Sequence, residues 1–289
     1  MNKNLGEEYW LALARAPYLG PVNFVRLLNH FGNPRNVFEA GWGEWQALNI
    51  RGSLLNYLRN PNWSAVENDL HWLAQKNHHL LTLFHPDYPP LLREIYDPPP
   101  LLFVSGNCAI LRGVQLAIVG TRHPSREGTK TAGEFAKNLA QQGFTITGGM
   151  ALGIEGASHW GALAGGGKNI AVAGRGLEQI YPTQHRYLAD IIVQRGALVS
   201  EFPPDTPVRR DNFPLRNRIV SGLSLGTLLI EAPERSSALQ MVHCALEQGR
   251  EVFVVPGSIH NPLVKGCHRL IKEGAQLVEN ANDILEGLL

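Results

Sequence analysis

From residue 116 onward, short apolar, β-branched runs recur about every 25 to 30 residues: Leu116–Val119, Phe144–Thr147, Asn169–Ala173, Ala197–Glu201, Thr227–Ile230, Glu251–Val255 and Gln276–Val278. Between them lie stretches with a helical hydrophobic period, at about 128–142, 153–165, 184–195, 214–222, 236–248, 266–273 and 281–288. Strand alternating with helix at this spacing predicts an α/β fold with a mostly parallel sheet. Runs that are apolar on both sides of the pleat predict a sheet covered on both faces. In such sheets a ligand lies outside the carboxyl ends of the strands. The residues following each strand therefore belong together: Gly120-Thr-Arg122, Gly148-Gly149, Gly174-Arg-Gly176, Phe202-Pro-Pro204, Glu231-Ala-Pro-Glu234 and Pro256-Gly257-Ser258.

Ahead of the alternating region the pattern changes. Leu11, Ala14, Leu19, Val22, Val25, Leu28 and Phe31 recur at helical spacing, with turns at Leu19-Gly20-Pro21, Phe31-Gly32-Asn33-Pro34 and Arg51-Gly52-Ser53. Residues 1–75 read as a small all-helical domain, similar to a helix-hairpin-helix or sterile-alpha-motif module, and residues 76–289 as the sheet domain. Helical hairpins of this kind can aim backbone amides at a DNA phosphate. The acidic and basic residues of this segment balance, which favours a packing or protein-interaction role over DNA affinity, because the latter needs local positive excess. Between the two parts, His79–Phe84 and Leu101–Val104 read as strands around a short helix at Leu91–Ile95. Asp97-Pro-Pro-Pro100 fits neither a helix nor a central strand.

Composition narrows the classes. A net charge of +1, from 26 Lys and Arg against 25 Asp and Glu, announces no global field for nucleic acid or membrane. Three scattered cysteines, Cys108, Cys244 and Cys267, with no CxxC pair, indicate neither a disulfide framework nor a zinc ribbon. The start MNKNLGEEYW lacks a signal-peptide pattern, and no apolar run approaches the ~18 residues of a membrane span. A reducing cytoplasm is the expected compartment.

The familiar chemistries fail on spacing. Gly120-Thr-Arg-His-Pro-Ser125 lacks the second glycine of a dinucleotide loop, and Gly174-Arg-Gly176 has Gln179 where the third would stand. No Walker A sequence is present. Gly222-Leu-Ser224-Leu-Gly226 matches G-x-S-x-G, but a helix precedes it and a strand follows, the reverse of a nucleophile elbow. His243-Cys244 and Cys267-His268 are adjacent pairs whose side chains diverge by about 100° on a helix, so no metal is expected. No two carboxylates are paired for acid–base work, and no cofactor and no catalytic residue are expected.

Basic and amide groups do converge. Leu116–Lys130 reads as strand, tight turn and helix N-terminus, the phosphate-binding end of an α/β unit. Arg122 follows the first strand. Gly148-Gly149-Met-Ala-Leu-Gly153 follows the second, with small residues that let amides approach an anion. Arg175 follows the third. Arg216, Asn217 and Arg218 stand side by side at a helix start, and Ser236-Ser237 caps another. Tyr181, Phe202, Phe213 and His159-Trp160 offer stacking surfaces, the design of single-strand binders.

With these motifs assembled, the chain resembles the DNA-processing protein A (DprA, also Smf) family over almost its whole length. The resemblance is carried by IVGTR, GGMALGIEGASH, AVAGRGLEQIYP, SEFPP, NFPLRNRIVSGLS, IEAPERSSAL, ALEQGREVFVVPGSI and GCHRLIKEGA, in that order. It implies an extended Rossmann domain behind a sterile-alpha-motif-like domain. The family's role is a cytoplasmic, non-enzymatic binder of single-stranded transforming DNA. Such a protein shields the strand, helps load the recombinase RecA and forms homodimers through the Rossmann domain. The implied phosphate pocket is Gly120, Thr121, Arg122, Gly148, Gly149, Gly153, Asn217 and Arg218, with Arg175, Arg186, Phe213, Arg216, Ser236 and Ser237 as further DNA contacts. Thr183 stands where a basic residue is frequent, Glu155 where Asp is usual, and Ser237 where glycine is usual. Many members carry a further winged-helix-like domain, which is not expected within a chain that stops at Leu289. Two alternatives remain open: a nucleotide phosphoribohydrolase of the LOG type, though its P-G-G-x-G-T-x-x-E signature is missing, and a scaffold with vestigial DNA binding.

Overall fold

The structure, a computed structural model, describes residues 6–50 and 52–289. Six short helices open the chain: α1 Glu7–Ala14, α2 Pro21–Phe31, α3 Pro34–Glu39, α4 Trp42–Ala47, α5 Gly52–Arg59 and α6 Trp63–Leu73. Pro at the first helical position starts α2 and α3, and the Asn33 and Asn62 side chains cap α3 and α6. Next come β1 His78–Thr82, α7 Pro90–Arg93 and β2 Leu101–Gly106. The alternating region follows as β3 Gln115–Gly120, α8 Arg126–Gln141, β4 Thr145–Gly148, α9 Ile154–Ala164, β5 Asn169–Val172, α10 Arg186–Arg195 and β6 Ala197–Ser200. It closes with α11 Asn212–Leu223, β7 Gly226–Ile230, α12 Ser237–Glu247, β8 Glu251–Val254, α13 Lys265–Lys272, β9 Gln276–Leu277 and α14 Ala281–Gly287. The elements expected from the hydrophobic pattern are therefore present, each within a few residues.

Among the described residues, nine strands form one sheet in the order β1-β2-β6-β5-β4-β3-β7-β8-β9. β3 to β9 are mutually parallel, and β2 runs antiparallel to β6 and β1. The strand pattern explains the layers. Leu116 and Ile118 of β3 face a core completed by Ala132, Phe135 and Leu139 of α8, Ile154 and Ala162 of α9, and Ile284 of α14. Ala117 and Val119, one residue out of phase, face Ile219 and Leu223 of α11 and Leu239 and Val242 of α12. From β3 the chain winds towards β6 on one side and returns to β7 on the other, so a crevice opens at the carboxyl ends of β3 and β7.

The helical module has no core of its own apart from the sheet. Leu11, Phe24, Leu28 and Trp72 join Leu101, Phe103, Leu188 and Ile192 in one buried cluster, with the Trp72 and Phe103 rings edge-on at 6.0 Å. An ion-pair relay also crosses from the helices to the sheet. Arg15, at the end of α1, donates to both Asp69 oxygens at 2.6 Å and to Asp205 beyond β6 at 2.8 Å. Asp69 is 1% exposed. Burial pushes its carboxyl up, and Arg15 opposes that shift. No helix among the described residues is long and apolar enough to cross a membrane.

Replacing Arg15 by Ala leaves Asp69 buried without its partner, and a urea titration is expected to register a loss of about 3 kcal/mol. The double variant Arg15→Met, Asp69→Leu is expected to recover most of that loss, because the buried charge disappears with its partner.

Candidate functional site

At the crevice, the helix N-terminus that should receive a phosphate is already occupied. Glu231, the first residue after β7, turns its carboxylate to the start of α8. There it accepts from the Ser125 amide at 2.8 Å and the Ser125 hydroxyl at 2.6 Å. Ser125 in turn accepts from the Gly128 amide as the helix cap. Gly128 lies so close that a Cβ there would overlap the carboxylate. Glu231 sits in the left-handed region at φ 48°, a conformation costing of the order of 1 kcal/mol for a residue with a side chain. Its backbone carbonyl accepts from the Thr121 amide at 2.7 Å. The strand–turn–helix of residues 116–130 thus has the expected shape but a filled anion seat.

The second loop is filled in the same way. Glu155, in the first turn of α9, accepts from the Ala151 amide at 2.8 Å. The Gly149 carbonyl is held by Nε2 of His159 at 2.8 Å, and that of Met150 by Nδ1 of His185 at 2.8 Å. Nδ1 of the fully buried His159 lies 2.9 Å from Oδ1 of Asn169. Burial holds this imidazole below its ordinary range, the Asn169 and Gly149 contacts opposing. The loop is thus fixed by side chains behind it, and its small residues permit close packing. Gly153, at φ 82°, brings the start of α9 against the Thr121 and Arg122 backbone, and Gly149 leaves room for a guanidinium. Gly148 closes on the His159 ring, and Gly120 on Ile154 and the Ile230 carbonyl.

That guanidinium belongs to Arg216. It is 5% exposed and lies 3.9 Å from Glu155, yet its Nε and Nη1 find no hydrogen-bond partner among the described residues. Burial, together with the like charge of Arg122, lowers its pKa, while Glu155 opposes. A buried guanidinium with spare donors is costly unless an anion completes it. Arg216 lines two adjoining hollows. The smaller, about 240 Å³, is walled by Arg122, Met150, Leu152, Gly174, Tyr181 and Phe213. The larger, about 570 Å³, adds Gly120, Arg210, Asn217, Ser237 and Gln240. Among the residues lining the larger hollow, three arginines face one carboxylate, so a local positive excess exists in a nearly neutral chain. The Tyr181 and Phe213 rings stand 5.9 Å apart, tilted by 49°, beside the guanidinium.

Most of the expected site residues gather here, but not all in the expected role. Arg122, Arg216, Asn217, Phe213 and Ser237 line the groove, with Gly149 and Gly153 shaping it. Thr121 is turned inward, its amide on Glu231 and its hydroxyl on the His123 amide. Arg218 is a correction. One helical step of about 100° per residue carries it off the groove face of α11. There it donates to Glu201 at 2.6 and 3.0 Å and to Asp97 at 2.9 Å. Burial alone would lower its pKa, but Glu201 and Asp97 outweigh that and raise it. It clamps the proline-rich segment to the sheet, with four of its five N–H groups committed to Asp97, Glu201 and the Leu215 carbonyl. Arg175 and Arg186 line a neighbouring cleft with Glu178 and Asp190, meeting the groove only at Tyr181. Ser236 caps α12, its hydroxyl accepting from the Ala238 amide at 3.2 Å. Arg210 was missed by reading the motif from Asn212 onward; the signal was the adjacent Arg209-Arg210 pair. Among the described residues no cluster of His, Cys, Asp and Glu could hold a metal.

The buried His159 gives a pH signature. Its folded pKa is depressed, so between about pH 6.5 and that lower value the unfolded chain holds a proton that the native chain does not. Stability is expected to be complete above about pH 6.5 and to fall as the solution is acidified. Replacing His159 by Gln should flatten that part of the profile in denaturant titrations at pH 5 to 7.5.

Comparison with known proteins agrees with this architecture. Residues 79–289 match the family model described as DNA recombination-mediator protein A, and residues 7–40 match the DprA-like N-terminal HHH domain. Protein Smf of Escherichia coli is 45% identical over 282 residues, covering 97% of this chain and 75% of that protein. The X-ray structure of DNA processing protein A from Streptococcus pneumoniae superposes with a TM-score of 0.78 at 31% identity, covering 96% of this chain and 97% of that one. The Helicobacter pylori DNA processing protein A, solved for its single-stranded DNA binding mode, superposes with a TM-score of 0.66 at 27% identity, covering 73% and 95%. The chain belongs to the DNA recombination-mediator protein A family, known as DprA or Smf.

Proposed function

We propose that the groove at the carboxyl ends of β3, β4, β5 and β7 binds single-stranded DNA, without catalysis, during DNA uptake and recombination. One observation carries this reading: Arg216 is buried at the groove floor with two guanidinium nitrogens unpartnered, beside Arg122 and an aromatic pair. A backbone phosphate supplies the missing acceptors, and an unpaired base stacks on Tyr181 or Phe213. A duplex hides its bases inside the stack and cannot use the aromatic wall. The Helicobacter pylori relative, whose structure concerns its single-stranded DNA binding mode, supports the same ligand. Glu231 and Glu155 are committed to hydrogen bonds with the Ser125 and Ala151 amides, which argues against a LOG-type hydrolase that would need a free carboxylate. Delivery of the strand to RecA, a homodimer through the Rossmann domain and a cytoplasmic setting complete the proposal. So does a division into a helical part, 1–75, and a sheet part, 76–289.

Fluorescence anisotropy with labelled oligonucleotides tests it. Single strands are expected to bind more tightly than duplex, with a log–log salt slope of roughly −3 to −4 for four to six phosphates. Arg122→Ala and Arg216→Ala should each remove most of the affinity, and Phe213→Ala should cost about 1 to 3 kcal/mol. Arg218→Ala should instead lower stability. Equal affinity for duplex, with no loss in Arg122→Ala, overturns the proposal.

A further inference from the structure

The loop joining β6 to α11 carries a cation that lies between the SEFPP and NFPLRNR stretches. Arg210 is exposed, lines the groove with Phe213 and Arg216, and makes no ion pair among the described residues. The loop is anchored at both ends. At its start the Gly176 amide donates to the Thr206 carbonyl at 3.0 Å and the Glu178 amide to the Pro204 carbonyl at 3.1 Å. At its end the Asn212 and Phe213 amides donate to the carbonyls of Arg209 and Arg210 at 3.2 and 3.4 Å. Only Pro207 and Val208 separate the first anchor from the arginine pair, and proline removes one backbone rotation.

The first anchor is tied to the helical module. Arg15 uses one edge of its guanidinium on both oxygens of buried Asp69 and turns the other edge to Asp205, at 2.8 and 3.4 Å. A guanidinium is planar and rigid, so the pair with Asp69 fixes where Asp205 must lie. We infer that Arg210 is a further phosphate contact of the bound strand and that the helical module sets its position through Arg15 and Asp205. This rests on the single-strand reading of the groove. Arg15 and Asp205 act as positioning residues, and the module contributes to binding without touching DNA.

The sign of one substitution tests the inference. Asp205 is a carboxylate on the loop that forms part of a cationic groove. If it were only a nearby charge, Asp205→Asn would tighten DNA binding, because it removes repulsion from the phosphates. As a positioning residue it acts in the opposite direction. Asp205→Asn is expected to weaken binding of a labelled oligothymidylate about threefold, with thermal unfolding unchanged, and Asp205→Glu should restore it. Arg210→Ala should weaken binding more and flatten the log–log salt slope by about 0.7, the value of one phosphate. The double variant should bind no more weakly than Arg210→Ala alone. Unchanged or tighter binding in Asp205→Asn, or additive losses in the double variant, overturns the positioning role. An unchanged salt slope in Arg210→Ala overturns the contact. Wild-type protein that fails to prefer single strands, or an Arg122→Ala variant that binds like wild type, rejects the underlying reading instead, so the two failures are separable.

Discussion

Two buried carboxylates occupy the places where a nucleotide-binding sheet receives its phosphates, and the rest of the site follows from them. Glu231 fills the seat in front of α8, and Glu155 takes the loop amide ahead of α9. Both are held by backbone amides in a low-dielectric crevice, so both satisfy donors that a cofactor phosphate would otherwise have claimed. An external anion must therefore be met by side chains further out. Arginine is suited to that task because its fork reaches past the filled seats and remains charged when buried. The missing second glycine after β3 belongs to the same design: a protein carboxylate, not a pyrophosphate, approaches that helix.

The arginines divide by what surrounds them. Arg15 and Arg218 are each paired with two carboxylates and hold parts of the fold together. Arg216 has a single distant carboxylate and spare donors. Arg122 and Arg210 are exposed on the groove. A saturated guanidinium contributes to the stability of a particular arrangement; an unsaturated one at the floor of a hollow keeps its hydrogen-bonding capacity for a ligand. The distinction depends on which acids the fold brings near and is independent of residue type. Through Arg15 the helical module, which is nearly charge-balanced and shares its core with the sheet, gains a connection to the groove loop.

The sheet was legible in the chain because its signal is local. Runs such as Leu116–Val119 and Thr227–Ile230 are apolar at consecutive positions, which only a strand covered on both faces explains. The glycine turns after them mark the carboxyl edge, and with it the groove. Arg122 follows directly from that edge, since it immediately trails β3. Residues 216–218 were not separable in this way. They are neighbours in sequence, and only the rotation of α11 against the sheet sends Arg216 to the groove and Arg218 to Glu201 and Asp97.

By itself, the sequence determined the α/β class, the winding of strands and helices, the edge that carries the groove and the arginine-and-aromatic character of that edge. Hydrophobic periodicity and turn chemistry act over a few residues and leave their mark there. Tertiary structure alone decided which donors stay free. Ser125 and Glu231 lie 106 residues apart, Arg218 and Asp97 121, and Arg15 and Asp205 190. Electrostatic pairing depends on distance in space, and such partners are set by the folding of the whole sheet.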